Sequence, residues 1–167
     1  SAASDVYKRQ DGQGLRMLYD KYERFDGLAL EDLPFVMLNP VRSVYTDEDK
    51  TLWFGTKGDG FVRIKEYDSY AKGEIPLDRI ARYTTADGLS NNRVYCFFKS
   101  LYHPLVWIGT DGPGLSYYSY EDEKVHTLPS KIDTRIRYVH SICEINDSTL
   151  WMATVSYTHL TLPTKLE

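Results

Sequence analysis

The chain has 167 residues and a formal net charge of −4, with 24 acidic against 20 basic side chains. That length allows one domain with a real core, and the acidic balance gives no basic face of the kind that nucleic acid needs. Aromatic residues make up 14%, 14 of them tyrosine, which favours strands over helices, and no apolar run reaches the roughly 20 residues of a membrane-spanning helix.

In chain order, SAASDVYKRQ (1–10) fits no pattern found further on. DGQGLRML, Asp11 to Leu18, matches DGPGLSYY a hundred residues later and predicts the tail of a repeat unit over 11–27. An expanded connector, FDGLALEDLPFVMLNP, leads to the first full unit, VRSVYTDEDKTLWFGTKGDGFVRI, Val41 to Ile64. It recurs as VYCFFKSLYHPLVWIGTDGPGLSYY, Val94 to Tyr118, and in part as VHSICEINDSTLWMAT, Val139 to Thr154. The tryptophans at 53, 107 and 151 lie 54 and 44 residues apart. A loose period of that size with several strands per unit predicts propeller blades, over 40–85, 92–128 and, incompletely, 136–154. The pattern stops at both ends in mid-motif. Residues 1–10 and 155–167 resemble translated adapter or vector sequence and are expected to be non-native or unstructured.

Each part of the unit has a physical reason. Val41-x-x-Val44, Val94-x-x-Phe97 and Val139-x-x-Ile142 open a strand lying between neighbours, and Asp47 to Lys50 make a solvated polar turn. In Leu52-Trp53-Phe54-Gly55-Thr56 the alternation of a strand puts Trp53 and Gly55 on one face. A small residue two places after each tryptophan (Gly55, Gly109, Ala153) leaves room for the indole or for the next blade. Gly58/Gly60, Gly112/Gly114 and Gly12/Gly14 mark tight hairpins rather than phosphate loops, because strand-like sequence follows them instead of a helix. The fold class is therefore all-β, an open arc of about three four-stranded antiparallel blades. Such an arc leaves terminal edges uncovered, which predicts poor solubility in isolation.

With Trp-x-Gly-Thr, the G-x-G turn and the connector Thr84-Thr85-Ala86-Asp87-Gly88-Leu89-Ser90-Asn91-Asn92 in view, the sequence resembles the two-component regulator propeller repeats. These form the extracytoplasmic sensor of hybrid histidine kinases in Bacteroidetes. The resemblance covers nearly all of residues 11–154, with a longer loop at Ser100 to Leu105 than the family's turn. It implies a periplasmic part of an inner-membrane protein, further propeller blades in a parent chain that is a homodimer, and detection of an oligosaccharide that regulates polysaccharide utilisation. It implies no catalysis within this stretch, although the parent would carry kinase domains. A secreted propeller enzyme acting on polysaccharide, and a protein-docking scaffold, are the alternatives. The enzyme would need paired facing carboxylates.

No cofactor, metal site or catalytic residue is expected. His103, His126, His140 and His159 lack metal spacing, Asp47, Glu48 and Asp49 lack that of a calcium loop, and Cys96 and Cys143 are not expected to pair. The recurring position after the first strand valine holds Arg42, Tyr95 and His140, polar or amphipathic where an aliphatic side chain would serve a purely structural role. With the connector residues Asn91, Asn92 and Arg93 they form the candidate ligand-binding set. Local space filling and hydrogen bonding at blade edges is the structural alternative for these residues. Tyr117, Tyr118 and Tyr120 read first as strand packing.

Overall fold

Short β-branched and aromatic runs separated by turn residues become antiparallel strands in the computed structural model, which describes residues 14–19, 24–67, 75–128, 136–154 and 158–163. A leading hairpin joins β1 (Gly14–Tyr19) to β2 (Arg24–Ala29). The first blade is β3 (Val41–Thr46), β4 (Leu52–Thr56), β5 (Phe61–Ile64) and β6 (Ile80–Tyr83), hydrogen-bonded in that order. The second repeats it with β7 (Val94–Lys99), β8 (Leu105–Thr110), β9 (Ser116–Ser119) and β10 (Lys124–Thr127). The third has three strands, β11 (Val139–Asn146), β12 (Thr149–Thr154) and β13 (Thr158–Pro163). The chain is an all-β open arc of blades. The flank at 1–10 lies outside the described residues, as do 155–157 and 164–167, while the backbone of 158–163 pairs with β12. The segment read as an expanded connector begins as β2, and then buries Leu30, Leu33 and Met37 against the first blade.

The cores lie between sheets. Leu52, Phe54, Val62 and Ile64 face the leading hairpin, whereas Trp53 and Phe61 face the second blade. Trp107 and Leu115 of the second blade face Val139, Ile142 and Leu150 of the third. Trp53 and Trp107 thus point to the following blade, as strand alternation requires. Trp53 and Trp107 are fully covered, but Trp151 on the outer side of the third blade is 42% exposed.

The glycine two places after Trp53 and after Trp107 admits the neighbouring blade. A Cβ at Gly55 would stand 2.6 Å from Cγ1 of Val94, and one at Gly109 would strike the Val139 carbonyl oxygen. The G-x-G pairs divide their work. Only the second member has positive φ, 77° at Gly60 and 83° at Gly114, while Gly58 and Gly112 are small because Asn39 and Ser90 press on them.

One turn differs from expectation. Asp47 is buried rather than solvated. Its Oδ1 accepts from the backbone N–H groups of Asp49 and Thr51, and its Oδ2 from the Trp53 indole at 3.2 Å and the Tyr120 hydroxyl at 3.0 Å. The turn is therefore an anchor for the indole and a tie to the second blade.

Candidate functional site

The strands β3, β7 and β11 are the first of their blades, and β7 packs against both of the others. Each carries the same irregularity. In β3 the pairing with β4 steps from Val41↔Thr56 to Ser43↔Gly55, leaving Arg42 without a cross-strand partner. In β7 it steps from Val94↔Thr110 to Cys96↔Gly109 over Tyr95, and in β11 from Val139↔Thr154 to Ser141↔Ala153 over His140. An extra residue in one strand of a pair bends it and re-aims the side chain it carries. The three sequence-predicted residues are the three bulge residues.

The bulges bring these side chains into one column. The Tyr95 and His140 rings stack with centroids 3.7 Å apart and planes 25° from parallel. The Arg42 guanidinium carbon stands 4.3 Å from the Tyr95 ring centroid. Cation–π and offset stacking both favour this order, arginine over tyrosine and tyrosine against imidazole. With Arg42 and His140 both against it, Tyr95 is a spacer rather than an open platform for a sugar. His140 itself is exposed.

Asp111, just beyond β8, joins the cluster, and sequence reasoning missed it. Burial comes first in pushing the Tyr95 phenol above its ordinary pKa, and the neighbouring Asp111 carboxylate adds to it, against the opposing pull of Arg42. Asp111 Oδ2 lies 3.5 Å from Nη1 of Arg93. Two polar atoms here are buried without a hydrogen-bond partner, Nη1 of Arg42 and Oδ1 of Asp111. The only signal in sequence was the repeat itself, since Asp111 occupies the place of Lys57 after Trp-x-Gly-Thr.

The connector residues behave differently. Thr84 caps the 3₁₀ turn Thr85–Asp87 in a capping box, and Gly88 closes it with φ 104°. Asn91 Oδ1 accepts the Arg93 backbone N–H at 2.9 Å, and Asn92 Oδ1 accepts that of Thr85 at 2.9 Å. Both asparagine oxygens hold the loop in shape. Arg93 reaches the cluster through Asp111, with its side chain 62% exposed.

Other polar groups are committed elsewhere. Asp59 Oδ2 accepts the backbone N–H groups of Leu38 and Asn39, and Glu144 accepts the Trp107 indole at 2.8 Å and the Leu101 N–H at 2.7 Å. Tyr118 is buried and accepts from Arg63, while Tyr117 lies edge-on to Trp107. Cys96 and Cys143 are free thiols, and burial pushes that of Cys96 up to about 11. A groove of about 430 Å³ on the outer strands of the second blade is lined by His103, Tyr117, Asp122 and His126 among others, away from the Arg42 column. Among the described residues no three His, Cys, Asp or Glu side chains gather to hold a metal ion. His159 has no described side chain.

Comparison with known proteins agrees with the propeller fold. Residues 37–58 match the family described as two component regulator propeller. No curated protein matches the chain. Among solved structures, the extracellular domain assigned to hybrid two component system BT3049 from B. thetaiotaomicron superposes with a TM-score of 0.61 at 14% identity, over 86% of this chain and 22% of that one. Two structures of the extracellular domain of BT4673 from the same organism give TM-scores of 0.55 and 0.54 at 13% and 17% identity. They cover 84% and 89% of this chain, and 17% and 19% of theirs. The chain thus spans about a fifth of the length of these neighbours, which at such identities share its fold. It carries a two component regulator propeller repeat, set in an open arc of β-propeller blades.

Proposed function

We propose that this chain is part of the ligand-sensing propeller of an extracytoplasmic two-component sensor, and that its ligand is an oligosaccharide. The observation that carries the reading is the convergence of Arg42, Tyr95 and His140, the bulge residues of three successive blades, in one column whose His140 end is exposed. A bulge kept at one place in every blade, with a different polar side chain each time, suits recognition better than packing, which would be served by one aliphatic residue repeated. The parent would be a periplasmic, membrane-anchored, homodimeric histidine kinase, its other blades closing the propeller. The enzyme alternative draws no support from Asp47, Asp59 and Glu144, whose oxygens serve structural donors.

The test is calorimetric titration of the chain with a panel of plant and host-glycan oligosaccharides. Arg42→Ala and His140→Ala should each weaken a detected ligand by about tenfold or more, the scale of one charge-assisted hydrogen bond. Unchanged affinity in both variants would remove the column from recognition.

A further inference from the structure

Resting on that reading, we infer that the Arg42 column is built for an acidic saccharide, with Arg42 receiving the carboxylate of a uronic acid unit and Asp111 accepting one of its hydroxyls.

The charges at this place do not cancel. Arg93 answers Asp111 across 3.5 Å. Arg42 has no ion pair among the described residues, and its Nη1 is shut away from water with no acceptor. Two cations, Arg42 and Arg93, therefore stand with one carboxylate on an otherwise acidic chain of net charge −4. A guanidinium left without an acceptor is unfavourable, and a carboxylate is the partner whose two oxygens match its planar fork. To take it, the guanidinium turns its buried Nη1 off the Tyr95 ring and towards the ligand.

The second orphan atom fixes the ligand class further. Asp111 Oδ1 is buried without a well-aligned hydrogen-bond partner, and the Tyr95 hydroxyl lies near both the Asp111 carboxylate and Arg42. A ligand that satisfies both atoms carries an acid group and a hydroxyl donor on one small frame, as a uronic acid does and a simple anion or neutral sugar does not. His140, exposed and held at one ring face by Tyr95, supplies the remaining flat surface.

The experiment uses the whole 167-residue chain. Proton NMR follows the His140 imidazole, whose resonances feel the Tyr95 ring current, while galacturonate and glucuronate disaccharides are added. Galactobiose and cellobiose are the neutral controls. At least one acidic disaccharide should shift His140 with an affinity at least about tenfold above its neutral counterpart, and Arg42→Gln should erase that preference. Asp111→Asn should weaken the acidic and neutral probes alike. Thermal melts of both variants check that the fold stands.

Equal affinity for acidic and neutral sugars, with His140 still shifting, overturns the acidic class and leaves oligosaccharide sensing intact. An acidic sugar that binds without moving His140, or whose preference survives Arg42→Gln, overturns the site. Silence from all four probes overturns this inference, whereas the wider panel decides the sensing reading separately.

Discussion

The interface between the first and second blades and that between the second and third use the same repeat positions and different chemistry. At the first, Trp53 is anchored by Asp47 of its own blade, and Arg63 beside it donates to the Tyr118 oxygen while facing the Trp53 and Tyr118 rings. At the second, Trp107 is anchored by Glu144 of the following blade, and Tyr117 takes the place of Arg63 with its ring edge-on to the indole. The repeat preserves a buried indole whose N–H must be satisfied, and leaves open which strand supplies the acceptor. The two interfaces therefore hold one geometry with different side chains.

The largest difference should come from the two glycines. Gly109→Ala drives a methyl group into the Val139 backbone and should cost about 3 kcal/mol, against about 1–2 for Gly55→Ala, whose neighbours are the Ser43 and Val94 side chains. Equal losses in thermal or urea melts would break the distinction between a rigid and a yielding neighbour. Next, Trp107→Phe removes one of the two donors that Glu144 keeps, whereas after Trp53→Phe the Asp47 Oδ2 retains Tyr120. The first should exceed the second by about 1 kcal/mol.

On a similar scale, Arg63→Met keeps volume but loses the Tyr118 hydrogen bond and the cation over two rings, costing about 1 kcal/mol. Tyr117→Phe should stay within about 0.5 kcal/mol. Iodoacetamide near pH 8 should label the exposed Cys143 first, since the Cys96 thiol is half-buried and desolvation pushes its pKa up to about 11, and mass mapping reads the order. The slightest effect is electrostatic. The Lys65 ammonium, bonded at 2.9 Å across the first interface, holds the Glu123 carboxyl below its ordinary value. A lowered folded pKa gives stability that is present above the unfolded value and lost as pH falls through about 4 and below, so Glu123→Gln should flatten the acid side of the Tm profile.

Much of this was legible because the repeat carries its own physics. Valine and a second apolar residue three places apart lie on opposite faces of a regular strand, so the sequence could name the recurring position of His140 but not the bulge that aims it. Trp-x-Gly announced a close neighbour. Asp47 was misread as solvated because its sequence surroundings are all polar, while its burial comes from Tyr120, 73 residues away. The Arg42–Tyr95–His140 column could be named position by position, yet Asp111 joins it from the far end of another strand and had no local mark. Asn91 and Asn92 looked available in sequence, although Asn91 closes a local turn onto Arg93 two residues on, and Asn92 reaches back seven residues to Thr85.

The loop from Ser100 to Leu105 has a wider consequence. Leu101 donates its N–H to Glu144, the Tyr102 hydroxyl reaches the Ile145 carbonyl and His103 meets the Asp147 carbonyl at 2.7 Å, all in the third blade. Chains of near-identical units risk docking the wrong neighbours while they fold, a characteristic failure of repeat proteins. These three contacts tie the second blade to the hairpin of β11 and β12, so swapping the loop for a short turn should loosen the third blade from the second before it disturbs either sheet.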